Sequence, residues 1–171
     1  MKTHATKHLY KIAEVSDIAA ILTFEKQVTG SNKGDDNDLL QFLTGPSGYG
    51  GLCFEKRLVR NNALIGLILF DIYHDRSEII VRELLVHPLF RRQGIATALI
   101  EKVQFLCDEN HFRAVARVPE TCLPVHLFFR SINWKCDKVL KQFFAPLDAY
   151  RFRSPTRPPL FKNTNITTFE T

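Results

Sequence analysis

The passage from Glu83 to Leu99 constrains the fold more than any other part of the chain. Glu83-Leu84-Leu85-Val86 reads as a strand end and His87-Pro88 stops it. Arg91-Arg92-Gln93-Gly94 is a basic loop, after which Ile95, Leu99, Val103 and Leu106 recur at helical steps of four and three. A strand that runs through a short loop into a long amphipathic helix commits the chain to a crossover, because the helix must return over the sheet to bury its apolar stripe. The next strand candidate, Val115 to Val118, is therefore expected beside the first and parallel to it.

The flanking segments fill in the sheet. An opening strand at Leu9 to Ile12 leads to Ser16-Asp17 as a helix cap and to Ile18, Ile21, Leu22 and Phe24 at helical spacing. Ser31 to Asp38 predicts a loop, Leu39, Leu40, Phe42 and Leu43 a short second helix, and Gly45-Pro46-Ser47-Gly48 its end. Leu52 to Val59, an Asn61-Asn62 turn, Ala63 to Tyr73, a His74-Asp75-Arg76 turn and Glu78 to Val86 then predict an antiparallel meander. Beyond the crossover, Leu123 to Ser131 predicts a helix with Pro124 in its first turn, Lys135 to Phe144 a strand, and Asp148 to Phe152 its partner. The fold class expected is α+β: a mixed, mostly antiparallel central sheet flanked by helices. Residues 1–153 are expected to form a single domain and residues 154–171, with Pro155, Pro158 and Pro159, an irregular tail.

Composition narrows the function classes. A chain of 171 residues with 45% hydrophobic and 24% charged residues can bury one substantial core. No run approaches the roughly 18 apolar residues of a bilayer span, and Met1 is followed by none of the features of a signal peptide, so a cytoplasmic protein without a membrane partner is expected. Cys53, Cys107, Cys122 and Cys136 form no C-x-x-C pair and read as reduced thiols, and the six histidines show no paired ligand spacing, so no metal is expected. The formal charge of +5 suits an anionic ligand or nucleic acid, but no basic stripe with interleaved exposed rings occurs, which argues against nucleic acid. A monomer or a homodimer is expected.

Backbone N–H groups at a helix start have no intrahelical acceptor, so those of Arg92, Gln93, Gly94, Ile95, Ala96 and Thr97 are expected to converge on one concavity. The helix dipole makes it positive, and Gly94 and Ala96 leave room for a phosphate. A basic loop that merely caps its helix is the plainer alternative.

These residues resemble the Gcn5-related N-acetyltransferase superfamily, in which a strand ending V-x-P is followed by R/Q-x-x-G-x-G/A and a long helix. Val86-x-Pro88 and Arg91-x-x-Gly94-x-Ala96 carry that pattern. Val118 to Trp134 resembles the block V-R-x-x-N-x-x-A-x-x-L-Y-x-x-x-G-F, most like bacterial ribosomal-protein alanine N-acetyltransferases, and the likeness extends over roughly Leu9 to Phe152. The resemblance implies a splayed strand pair that takes acetyl-CoA as acyl donor. Its pantetheine would bond the backbone of Leu84, Leu85 and Val86, and its phosphates the loop from Arg91 and Arg92 to Thr97. It also implies direct acetyl transfer to a primary amine, with a protein N-terminus as one acceptor.

Departures from the pattern define the catalytic question. Where the resembling branch has a glutamate base, a cofactor-binding Asn and a Tyr that protonates the thiolate, this chain has Arg117, Cys122 and Phe129. By position Cys122 and Phe129 are expected to line the cofactor, with Phe128 in the core. Glu83 becomes the best candidate base, on the strand face opposite Val86, against the alternative of a solvated carboxylate paired with Arg82 or Arg117. Cys122 has no His and Asp or Asn partner set, and His87 and His126 read as packed or surface imidazoles. A catalytically inactive acyl-CoA-binding relative is the competing expectation.

Overall fold

Asn62–Tyr73 (β3) is the spine of the sheet, with Ile65, Leu67, Ile68, Leu69 and Phe70 all buried, as a strand covered on both faces requires. The computed structural model describes residues 8–30, 49–57 and 62–155. The other strands are His8–Ile12 (β1), Tyr49–Arg57 (β2), Glu78–Val86 (β4), Arg113–Pro119 (β5), Lys135–Phe144 (β6) and Leu147–Arg153 (β7). They form one seven-stranded sheet in the order β1-β2-β3-β4-β5-β7-β6. Every pairing is antiparallel except that of β4 with β5, which are parallel as the crossover between them demands. The loop and second helix expected at 31–48, the start of the Asn61-Asn62 turn and the tail beyond 155 lie outside the described residues.

Among the described residues three α-helices cover the sheet: Ile18–Thr29 (α1), Ile95–Asn110 (α2) and Leu123–Ser131 (α3). The stripe of α2, Ile95, Leu99, Ile100, Val103 and Cys107, joins Phe129 of α3, Trp134 and Phe152 in the larger core on one face. On the other face Ile21 and Phe24 of α1 pack on Leu67 and Leu69, with Leu85 at the margin. Burial pushes the Cys107 thiol up to about 12, so it is an inert core group. Free thiols are also present at Cys122 and Cys136. No helix of the described residues is long and apolar enough to cross a membrane.

One local feature differs from expectation. Asp17 precedes α1 but makes no side-chain cap; its carboxylate accepts from the Glu14 N–H at 3.0 Å instead. β7 lies between β5 and β6, so the last hairpin joins the sheet through its second strand and leaves β6 at the edge. Asn133 after α3 takes the left-handed conformation (φ 63°) that its residue type tolerates.

The seam between β6 and β7 is held by charge. Asp137 accepts two hydrogen bonds from Arg151, at 2.8 and 2.9 Å, and faces Arg153 at 3.2 Å. The bonds from Arg151 hold the Asp137 carboxyl below its ordinary pKa. A depressed carboxyl pKa stabilises the fold above the unfolded value and ceases to do so as pH falls through the folded one. Asp137→Asn is expected to cost about 1 kcal/mol at pH 7. In urea titrations the gap from the parent should close as pH falls below about 4.

Candidate active site

The site begins where β4 and β5 part. Their pairing runs from Glu78 and Arg113 to Val81 and Ala116 and stops, although β4 continues to Val86 and β5 to Pro119. On their outer edges the strands stay paired, Val86 with Gly66 and Pro119 with Ala149. The result is a wedge whose two walls, 82–86 and 117–119, present unpaired backbone edges to each other. Leu84, Leu85 and Val86 are half-buried along one wall.

A bulge starts the divergence. Leu69 pairs with Glu83 and Phe70 with Val81, which makes Arg82 an extra residue on β4. Before it Ile79 and Val81 point to the α2 face; after it Leu84 and Val86 do so and Leu85 joins the α1 face. Glu83, two residues from Leu85, thus faces α1, opposite Val86 as the alternation predicts.

At the wide end of the wedge, β4 passes through His87 and the turn Pro88–Phe90 into Arg91, Arg92, Gln93 and Gly94, all four exposed. Arg92 (φ 63°) and Gly94 (φ 80°) are left-handed, and a Cβ on Gly94 would meet nothing within 4 Å. Glycine is required there by the backbone conformation, and the space above it is open. The first helical hydrogen bond is Ala98 N–H to Gly94 C=O, 2.9 Å, so the N–H groups of Ile95, Ala96 and Thr97 have no acceptor within α2. Ile95 turns its side chain into the core, and Thr97 lines a separate cavity of about 300 Å³ with Gln104 and Asn133, so both offer the loop only their backbone. Arg91 folds back to donate from Nε to the Val86 carbonyl at 3.2 Å. The loop residues and the strand end expected from the sequence thus lie together.

The α3 residues divide. Cys122 caps α3 beside the end of β5 and is half-buried. His126 is buried, with Nε2 3.0 Å from the Pro119 carbonyl and its ring against Tyr150, and so packs as a core imidazole. Phe129 is not the expected wall. It is 2% exposed and stacked among Trp134 (4.8 Å), Phe152 (5.4 Å) and Phe128 (5.3 Å), while Phe128 is the less buried of the pair. The helical turn that brings Cys122 and His126 to the sheet brings Phe129 down with them, three residues after His126.

The α1 side of the wedge carries the polar groups. The Glu83 Oε2 is buried with no hydrogen-bond partner; of the two arginines in the alternative pairing, Arg82 contacts Asp71 at 3.6 Å and Arg117 makes no ion pair among the described residues. Asp71 sits between Phe70 and Ile72 of the larger core and so faces α1, and burial raises its pKa against the pull of Arg82 and Arg117. Arg117, between the core residues Ala116 and Val118, faces the same side with its guanidinium 5.0 Å from the centre of the Phe143 ring. Asp71 could have been suspected as a carboxylate inside an apolar strand run. Nothing in the sequence pairs Phe143 with Arg117.

Residues 15–131 match the Acetyltransferase (GNAT) family. The chain belongs to that family. Comparison with curated proteins finds no match. Among solved structures, Arabidopsis thaliana NAA60 in complex with a bisubstrate analogue superposes with a TM-score of 0.72 at 15% identity, covering 86% of this chain and 97% of that one. The Escherichia coli ribosomal-protein-S18-alanine N-acetyltransferase gives 0.71 at 13% identity over 91% and 99%. A spermidine N-acetyltransferase chimera from Vibrio cholerae SpeG and hSSAT gives 0.70 at 14% over 85% and 93%. At such identities the likeness shows the acetyltransferase fold and leaves the acceptor open.

Phe129→Tyr tests the placement of that side chain. A phenol hydroxyl added to the closed aromatic cluster has no partner, and about 1–3 kcal/mol of stability should be lost in urea unfolding. A stability equal to the parent's would mean that the ring edge opens on the wedge.

Proposed function

We propose that this domain transfers an acetyl group from acetyl-CoA directly to a primary amine, with protein N-termini among the acceptors. The observation that carries this reading is the wedge between β4 and β5 that ends at the glycine-started helix α2. Unpaired strand edges suit the amide-rich pantetheine, which can add to β4 as a strand would. The open N–H groups of Ile95, Ala96 and Thr97, the positive end of α2 and the exposed Arg92 suit the pyrophosphate. Family membership and likeness to structures described as N-acetyltransferases support the same reading.

Acetyl-CoA supplies a thioester carbonyl; the attacking amine nitrogen forms the new C–N bond as the C–S bond breaks. Glu83, on the acceptor side of the wedge with Oε2 unpartnered, takes the amine proton directly or through one water. With Phe129 buried, no side chain at that position donates a proton, and the departing thiolate takes one from water. A second reading, an acyl-CoA-binding domain without turnover, is favoured by that same lack of a phenol and by Arg117 at the base position of the resembling branch. Mass spectrometry of amine-bearing peptides incubated with protein and acetyl-CoA separates the two, because only the enzyme yields a product heavier by an acetyl group.

Millimolar acetyl-CoA should raise the melting temperature. At about 100 times its dissociation constant a ligand adds about 2.7 kcal/mol, or about 5–10 °C for a chain of this size. Gly94→Asp should abolish the shift, because the aspartate is strained at φ 80° and its carboxylate fills and repels the phosphate space. No shift in the parent would refute the donor assignment. Glu83→Gln should lower turnover by about 10²- to 10⁴-fold while leaving the acetyl-CoA shift intact, and equal rates from pH 6 to 9 would remove Glu83 from the mechanism.

A further inference from the structure

Three arginines stand together on the α1 face of the last strands, and one of them has no anion. Arg117 on β5 lies directly across from Arg151 on β7, and Arg153 is two residues further on. Arg151 is bonded by both carboxylate oxygens of Asp137, and Arg153 contacts Asp137 at 3.2 Å and Glu78 at 3.6 Å. Arg117 has neither kind of contact. Its Nε is buried without a hydrogen-bond partner, and its guanidinium lies over the Phe143 ring, 5.0 Å from the ring centre. Asp148 ties down the end of the hairpin that carries Phe143: it accepts from Lys141 at 2.6 Å and from the Gln142 N–H at 2.9 Å, and its own N–H bonds Glu120 at 3.2 Å. Asp71, whose carboxyl feels the charge of Arg117, contacts Arg82 at 3.6 Å.

A guanidinium positioned by a ring, with a dry N–H left over, is half of a charge-assisted pair. On the same face and across the wedge stands the opposite half-pair, the buried and unpartnered Oε2 of Glu83. An anion and a cation, both unsatisfied and flanking one opening, complement a ligand that carries an ammonium and a carboxylate.

We infer that Arg117 is a specificity-determining residue that selects acceptors bearing a carboxylate close to the reacting amine. This rests on the proposed acetyl transfer and names its substrate class. An acidic first residue of a peptide, through its side chain, and a free amino acid, through its own carboxylate, present the same chemistry to the site. The carboxylate binds the Arg117 fork while the amine lies toward Glu83.

The test compares peptides that begin with Glu with otherwise identical peptides that begin with Gln, and free glutamate with glutaminamide, which has the amine but no carboxylate. Binding to the CoA-saturated protein is read by calorimetry and turnover by release of CoA thiol. The expected preference for the carboxylate partner of each pair is about 10- to 100-fold, the range of a hydrogen bond between charged groups. Arg117→Gln should bring that ratio to within about twofold of one, and Arg117→Lys should restore part of it, with circular dichroism reporting that both variants fold. A preference confined to the peptide pair assigns the site to protein N-termini; one confined to the free pair assigns it to amino acids. Selective binding lost in Arg117→Gln, but without turnover, would uphold the inference and overturn the transferase reading alone. Equal binding of both members of each pair by the parent, or selectivity unchanged in Arg117→Gln, would overturn the inference whatever the turnover.

Discussion

Past Val81 and Ala116 the two central strands stop exchanging hydrogen bonds, and the rest of the molecule is arranged around that interruption. Backbone N–H and C=O groups left unpaired inside a protein are costly, so a sheet interrupted at its middle persists only where water or a ligand can take their place. The Arg82 bulge adds local twist at the right point to turn β4 away from β5, and it also resets which side chains face α1. One extra residue therefore opens the wedge and turns Glu83 to the α1 face.

A gap in a sheet would close or unravel if its walls were not anchored elsewhere. β4 stays paired with β3 to its last residue, and β5 stays paired with β7 to Pro119. The insertion of β7 between β5 and β6 makes this possible, because it gives β5 a full-length antiparallel neighbour on the side away from the wedge. Behind that neighbour Phe129, Trp134 and Phe152 form an aromatic cluster under α3. Burial of Phe129 thus serves the wall on which the site depends, at the expense of any group that position might have offered to chemistry.

What could be read in advance was local. β4 and α3 have the expected ends because a turn of polar residues, His87-Pro88 and Pro124 mark them chemically. The parallel pair followed from the handed crossover alone, and the loop from Arg91 to Thr97 from the chemistry of a helix start. Longer-range facts left no such marks. Asp17 satisfies Glu14 rather than its helix because the chain turns back before α1. Adjacent phenylalanines on a short helix carry the same periodic signal, so whether Phe128 or Phe129 was the deeper depended on how α3 sits on β5 and β7. The bulge at Arg82 and the Arg117–Phe143 stack join strands whose relation only the assembled sheet defines.

The exchange of a carboxylate for Arg117 need not silence the proposed reaction, because the amine has a second route to neutrality. An N-terminal amine has an ordinary pKa of about 7.7–8.0, so about one molecule in seven is neutral at pH 7. A carboxylate on the same acceptor holds the proton on the nitrogen and makes that fraction smaller. When the carboxylate pairs with Arg117 its hold on the proton is largely cancelled, and desolvation in the wedge disfavours the ammonium further. A fall of one unit in the amine pKa raises the neutral fraction at pH 7 to about three in five. In the proposed reaction an arginine at this position would therefore activate acidic acceptors selectively, leaving Glu83 to remove only the proton released as the C–N bond forms.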